Sequence, residues 1–143
     1  MHRCDAVLIS CFDWRIRRRV DAWMQSQGYF TYDPLPYPGI VGVINSPTCP
    51  EGREFVFQGV AKSLRLHAPH DIVVVTHDDC GAFERFFSSP EEERSFHHEQ
   101  LRLAAALIRA RWPEGPAIRL LYLTGTASVV DANTGHITVE ELS

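Results

Sequence analysis

The chain has 143 residues, of which 45% are hydrophobic and 22% are charged, and its formal net charge at pH 7 is −4. This length and composition predict a single soluble globular domain, residues 1–143, with one hydrophobic core. A modest acidic balance gives no electrostatic reason to expect nucleic acid or an anionic membrane as a partner.

No stretch has the pattern of a signal peptide or of a membrane span, so we expect a cytoplasmic protein. The first apolar run, residues 6–9, is short and is soon followed by Asp13 and Arg15. A membrane span needs roughly 20 apolar residues. The cytoplasm is reducing, so we expect the cysteines to be free thiols, in the core or as metal ligands, rather than to form two disulfides. The four cysteines are Cys4, Cys11, Cys49 and Cys80.

The first half of the chain alternates between strand and helix patterns. A strand is predicted over residues 5–12 and a helix over 15–27, where apolar residues recur at helical spacing. The stretch 29–38 is rich in proline and tyrosine, so we interpret it as a loop. A second strand is expected over 39–45, followed by a helix from about residue 53 to residue 67.

The second half begins with a continuous β-branched run at 72–75, which suits a strand that is buried on both faces of a parallel sheet. A short helical turn is expected over 82–87, and a serine cap followed by proline and glutamates starts a helix over about 90–112. Residues 117–124 predict a fourth strand, and 128–139 a terminal hairpin. The alternation predicts an α/β fold with a mainly parallel central sheet of order 2-1-3-4, flanked by helices.

Candidate metal ligands follow two of the predicted strands. The first strand runs into Cys11 and Asp13, and the third runs into His77 and Cys80. These strands are neighbours in the order 2-1-3-4 and flank its topological switch point, where α/β proteins build their sites. Two thiolates and an imidazole suit zinc better than calcium or magnesium. We therefore predict one zinc ion at Cys11, His77 and Cys80, with Asp13 and Arg15 oriented towards a metal-bound water.

Taken one at a time, these residues have simpler explanations. Buried cysteines behave as small hydrophobic residues, and an Asp-x-Arg pair is often an ordinary surface ion pair. The coincidence of three ligands at two neighbouring strand ends is what favours a metal site.

The segments CFDWR (residues 11–15) and HDDCG (residues 77–81) resemble the β-class carbonic anhydrases, whose signature is Cys-x-Asp-x-Arg and then His-x-x-Cys-Gly. The likeness extends through the valine-rich strand and to residues 129–137. It implies the family's fold, one zinc ion per chain and an orienting Asp-Arg pair. The implied zinc ligands are Cys11, His77 and Cys80, and the implied pair is Asp13 with Arg15.

The resemblance also implies an activity, in which zinc-bound hydroxide attacks carbon dioxide and yields bicarbonate. In some family members the aspartate takes the fourth zinc position and closes the site, and Asp13 is suited to either role. A homodimer is implied as well. The chain departs from the family at Trp14, where a serine is usual, and Cys11 follows only ten residues, so a dimer interface would have to differ.

Two other functions compete with this one. The same site with a different tunnel suits hydrolysis of another small heterocumulene, such as carbonyl sulfide or carbon disulfide. A zinc-binding protein without hydratase activity is expected to show a closed site, with Asp13 on the metal. A thiol redox protein is disfavoured because the chain has no Cys-x-x-Cys pair.

Overall fold

A five-stranded sheet forms the centre of the protein, described here by a computed structural model of residues 2–143. The sheet has the order β2-β1-β3-β4-β5; the β1-β2, β1-β3 and β3-β4 pairs are parallel and β4-β5 is antiparallel. This confirms the predicted α/β class and the order 2-1-3-4, and adds an antiparallel edge. The strands are β1 (Ala6–Ser10), β2 (Tyr32–Pro36), β3 (Asp71–His77), β4 (Ala117–Thr124) and β5 (Thr138–Leu142).

Within residues 2–143, four α-helices and two short 3-10 turns connect the strands. The long C-terminal helix begins as predicted, because the Ser89 side chain accepts a hydrogen bond from the backbone N–H of Glu92. Among residues 2–143 no helix is both long and apolar enough to cross a membrane. The helices are α1 (Trp14–Ser26), α2 (Ile40–Asn45), α3 (Pro50–His67) and α4 (Pro90–Arg111), and the turns are Gly81–Phe83 and Thr126–Ser128.

The sheet separates two apolar clusters. Because side chains alternate along a strand, Ile72 and Val74 of β3 face α2, α3 and α4, whereas Val73 and Val75 face α1. All four side chains are fully buried. An uninterrupted apolar run is therefore the pattern that this central strand requires.

The prediction of the second strand is wrong, because residues 39–45 contain α2 and the strand lies in the presumed loop 29–38. β2 lies at the edge of the sheet and pairs only with β1, so its outer backbone groups need no partner. An edge strand tolerates the two prolines of β2, Pro34 and Pro36. In α2 the buried residues recur at helical spacing, and they are Ile40, Val41 and Ile44.

The predicted terminal hairpin over 128–139 is also wrong. Residues 129–137 run as turns without strand pairing, and only the segment from Thr138 onward joins the sheet, through β4. The turns are tied to α1 instead: the Arg18 guanidinium donates to the carbonyl of Ala132 at 3.1 Å, and that of Arg19 to the carbonyl of Ile137 at 3.1 Å. These contacts join parts of the chain that are distant in sequence.

Candidate metal centre

The structure brings Cys11, His77 and Cys80 together at the carboxyl edge of the sheet. Cys11 follows β1, His77 ends β3, and Cys80 lies in the turn after β3. β1 and β3 are parallel neighbours, with Ser10 opposite Val75, so the residues after both strands emerge side by side. The two Sγ atoms are 3.9 Å apart, and the three ligand atoms all lie within 4.8 Å of one another.

The imidazole of His77 is fully buried, with 0% of the residue exposed. Its Nδ1 atom lies 2.6 Å from the carbonyl oxygen of Asp78, so Nδ1 carries the hydrogen and donates it. This tautomer leaves a lone pair on Nε2, which is buried and has no hydrogen-bond partner in the described structure. An unsatisfied buried nitrogen is costly, and coordination to a metal would satisfy it.

The two thiols differ in acidity. The hydrogen bond from Cys80 lowers the pKa of Cys11 to about 4, and the same contact raises the pKa of Cys80. The metal-free pair therefore holds one proton between two sulfur atoms. Burial opposes a charge on His77, but its interaction with the Cys11 thiolate outweighs burial and raises the pKa of His77. A metal ion that bound all three ligands would displace the protons that remain on the Cys80 thiol and on Nε2 of His77.

Asp13 and Arg15 form a close ion pair beside the cluster. Nη2 of Arg15 donates to Oδ2 of Asp13 at 2.7 Å, and Nε donates towards both carboxylate oxygens at 3.1 and 3.2 Å. Burial acts to raise the pKa of Asp13, but the bonds from Arg15 outweigh it and lower that pKa. Arg15 is itself held by Asp79, whose carboxylate lies 2.9 Å from Nη1. The pair is therefore ionised, with its orientation fixed from both sides.

The same carboxylate begins α1, because Oδ1 of Asp13 accepts a hydrogen bond from the backbone N–H of Arg15 at 2.9 Å. Trp14, the residue that departs from the family pattern, lies at the first position of α1 with 56% of its surface exposed. Its indole therefore projects outward from the helix start.

Sequence reasoning missed the residues that hold the turn after β3. The carboxylate of Asp78 accepts hydrogen bonds from the backbone N–H groups of Gly125 and Thr126 at 2.9 and 3.0 Å. The Thr126 hydroxyl also donates to the carbonyl oxygen of Asp78 at 2.8 Å, the same oxygen that accepts from His77. Sequence reasoning also missed Gly39, whose backbone N–H lies 3.5 Å from Sγ of Cys11. The only sign of these contacts in the sequence was the position of Asp78 directly after the ligand His77.

Two cavities border the cluster. One of about 160 Å³ is lined by Cys11 and Asp13 together with apolar side chains of β1 and α1, among them Leu8 and Val20. The other, of about 530 Å³, is lined by Cys80 and by residues of the segment that follows it. Small molecules thus have space next to both thiols.

Comparison with known proteins gives one family and one fold. Residues 1–132 match a family model described as putative carbonic anhydrase. The structure is similar to the β-carbonic anhydrase isoform I of the protozoan Trichomonas vaginalis, with a TM-score of 0.57 and 12% identity over 96% of this chain and 82% of that one. The β-carbonic anhydrase CafA of the fungal pathogen Aspergillus fumigatus gives a TM-score of 0.48 and 16% identity over 97% and 76%. No curated protein matches the chain.

Proposed function

This chain belongs to the carbonic anhydrase family whose model it matches over residues 1–132, and we propose that it catalyses the reversible hydration of carbon dioxide to bicarbonate. Zinc would be held by Cys11, His77 and Cys80. The observation that carries the proposal is the buried, unpartnered Nε2 atom of His77, which shares one cluster with two sulfur atoms. A metal ion held there would coordinate that nitrogen and both sulfur atoms at once.

The donor set fits zinc. Two sulfur atoms and one imidazole nitrogen are a known ligand combination of catalytic zinc, and three protein ligands leave one position for water. Zinc bound there would supply Lewis acidity that brings the pKa of a coordinated water close to 7. The carbonyl of Asp78 would keep the lone pair of His77 directed at the metal.

Asp13 would orient the reacting water. Its pKa is lowered, so near neutral pH the carboxylate accepts hydrogen bonds and donates none. Its Oδ2 atom lies 3.7 Å from Nε2 of His77, within one water molecule's reach of the ligand atoms. Asp13 would accept a hydrogen bond from the reacting water and so leave the lone pair of that water free for carbon dioxide. One proton would pass to solvent for each bicarbonate formed.

The contacts of Asp13 favour an open site over a closed one. To become a fourth metal ligand, the carboxylate would have to give up hydrogen bonds from the side chain and from the backbone N–H of Arg15. Arg15 is also tied to Asp79 by two hydrogen bonds, at 2.9 and 3.0 Å, which restrict its movement. This network supports hydratase activity rather than the alternative of a zinc protein without it.

The cavity beside Cys11 and Asp13 supports a very small substrate. Its volume of about 160 Å³ is below the roughly 300–1,000 Å³ that is usual for pockets that take larger ligands. Its small volume suits an uncharged linear molecule of three atoms, and its lining combines apolar side chains with polar ones such as Ser10 and Asp13. Carbonyl sulfide and carbon disulfide fit this description as well as carbon dioxide does, so they are the second candidate substrates.

Stopped-flow hydration of carbon dioxide tests the proposal. Protein with one zinc ion at this site should show activity that rises from about pH 7 to about pH 9, as a bound water loses its proton. Cys80→Ser should abolish the activity, whereas the control Cys49→Ser changes an exposed thiol and should not. No hydration by zinc-loaded protein at any pH would refute the proposal, and turnover of carbonyl sulfide alone would select the second candidate.

Two expectations remain predictions. The family resemblance implies a homodimer, which sedimentation of the zinc-loaded protein would test. The cytoplasmic location expected from the sequence would be tested by fractionation of the source cells.

A further inference from the structure

A second group of potential metal ligands lies at the opposite, amino edge of the sheet. Cys4 precedes β1, Asp33 is the second residue of β2, and His67 is the last residue of α3, just before β3 begins. Their ligand atoms all lie within 4.8 Å of one another. Among residues 2–143 the only other group of three or more that meets this limit is the candidate metal centre itself.

We propose that Cys4, Asp33 and His67 bind a second divalent metal ion of zinc-like character. This site is separate from the proposed catalytic one and shares no residue with it. The inference goes beyond the proposed hydratase activity and does not depend on it.

Backbone contacts alone bring the three residues close together, whatever rotamers their side chains adopt. The N–H of Cys4 donates to the carbonyl of His67 at 3.0 Å, which fixes the start of the chain against the end of α3. Asp33 stands opposite Val7 in the parallel register of β1 and β2. The segment before β1, the strand β2 and the end of α3 therefore each place one ligand at the same point.

The distances between the three ligand atoms are close to those around a tetrahedral zinc ion, so only small side-chain movements would be needed. Sγ of Cys4 lies 3.8 Å from Oδ2 of Asp33, and tetrahedral zinc bonds would put these atoms about 3.6 Å apart. Nδ1 of His67 lies 2.7 Å from the same oxygen and would move to about 3.4 Å. The side chains of His67 and Asp33 are 36% and 31% exposed, so they have room for this movement.

The donor types define the kind of metal. A thiolate, an imidazole and a carboxylate match zinc and similar transition metals, whereas calcium and magnesium prefer oxygen ligands throughout. The Ser63 hydroxyl donates to Oδ2 of Asp33 at 2.7 Å, and a hydrogen bond of this kind to a ligand carboxylate would help to fix its orientation. Partial exposure leaves a fourth position open to water.

This site should bind more weakly than the candidate centre. It offers one sulfur instead of two, and its ligands are more exposed than Cys11 and His77, which are buried. Without metal, its polar atoms also satisfy one another: the Cys4 thiol donates to the carbonyl of Ala6 at 3.3 Å, and His67 bonds to Asp33. A metal ion must displace these hydrogen bonds, whereas Nε2 of His77 has none to lose.

The proposal is tested by the zinc content per folded chain. The protein is equilibrated with buffered zinc, and the excess is removed before the measurement. The unchanged protein should hold about two ions, and Cys4→Ser and Cys80→Ser should each hold about one. Cys49→Ser, which changes an exposed thiol outside both clusters, should still hold about two. His67→Gln keeps a hydrogen-bond donor for Asp33 but replaces the imidazole with an amide, which lacks the nitrogen lone pair that binds zinc. It should therefore match Cys4→Ser, and it tests the site if Cys4→Ser does not fold.

Cobalt(II) gives an independent readout. In the double variant Cys11→Ser/Cys80→Ser, a thiolate-to-cobalt charge-transfer band should persist and should vanish when Cys4→Ser is added. One ion in the unchanged protein, lost in Cys80→Ser but kept in Cys4→Ser, would overturn the second site and leave the hydratase proposal intact. A single ion that is lost in Cys4→Ser and His67→Gln but kept in Cys80→Ser would support the second site and would overturn the zinc centre on which the hydratase proposal depends.

Discussion

The Oδ2 atom of Asp13 lies 3.7 Å from the Nε2 atom of His77. The first belongs to the cap of α1 and the second to the end of β3, and the parallel pairing of β1 with β3 brings them together. The same carboxylate oxygen accepts a 2.7 Å hydrogen bond from Arg15, so its position is fixed by the protein rather than by a metal. An acceptor thus stands beside the candidate ligands, ready to orient a water molecule.

We expect Asp13→Asn to lower kcat by about 10- to 100-fold while zinc content stays unchanged, a range typical for residues that support metal ligands. Asparagine is an equally good helix cap, so α1 should keep its start. Its amide lacks the negative charge and can donate as well as accept, so the water loses its fixed orientation. Stopped-flow kinetics with a parallel zinc assay measures both quantities, and an unchanged kcat would exclude Asp13 from the reaction.

Arg15→Lys should also lower kcat by about 10-fold or more, because lysine keeps the charge but cannot donate in parallel to both oxygens of Asp13. It would also lose the two bonds to Asp79. The measurement is kcat and KM for carbon dioxide, where a positioning role affects mainly kcat. Arg102→Lys, at an exposed position of α4, is the matched control and should leave both constants unchanged.

The candidate centre could be predicted because its signals are local. A β-branched run followed at once by His77 and Cys80 indicates both a buried strand and the point where it ends. The first strand and Cys11 repeat the pattern. Because sites in α/β proteins form at the carboxyl ends of neighbouring parallel strands, the two groups of ligands are expected to meet. Each step needs only residues that are close in sequence, and the structure brings the three side chains together.

The features that sequence analysis did not predict depend on contacts between residues that are distant in sequence. β2 was missed because Pro34 and Pro36 oppose a strand by local preference, and only its position at the edge of the sheet permits them. The turns that replace the expected hairpin are held by Arg18 and Arg19 of α1, which are distant in sequence. The Cys4, Asp33 and His67 group was also missed, because its three members come from three separate elements.

His97 should make the zinc-free protein less stable in mild acid. This residue is 1% exposed and its ring stacks on Tyr122, with ring centroids 5.1 Å apart. Burial lowers the pKa of His97 from 6.5 to about 4. Between these values the unfolded chain binds more protons than the folded one, so stability is complete above about pH 6.5 and falls as the pH falls towards 4.

The loss due to His97 should be on the order of 2 kcal/mol at pH 5 relative to pH 7. Urea unfolding at both pH values measures it. His97→Phe should fit between the neighbouring rings of Phe83 and Tyr122 and remove that part of the pH dependence. Because all other groups titrate in both proteins, an equal pH dependence in the variant would contradict the assignment to His97.

Gly125→Ala should be severely destabilising and should also weaken zinc binding. Gly125 has a φ of +97°, and an added Cβ would lie 2.1 Å from the carbonyl oxygen of His136, a backbone atom that cannot turn away. We expect a loss of about 3 kcal/mol or more. Moving Gly125 would also break the hydrogen bond from its N–H to Asp78, whose carbonyl orients His77, so the zinc Kd should rise at least about 10-fold.

Gly28→Ala is the matched control for Gly125→Ala. Gly28 also has a positive φ, +85°, but an added Cβ there would meet nothing within 4 Å. It should therefore cost only the backbone strain of about 1 kcal/mol, with no change in zinc affinity. Thermal unfolding and zinc titration of both variants separate the two effects. Equal losses would show that backbone strain alone matters, whereas a larger loss with weaker zinc binding in Gly125→Ala would show that the turn holding Asp78 supports the metal centre.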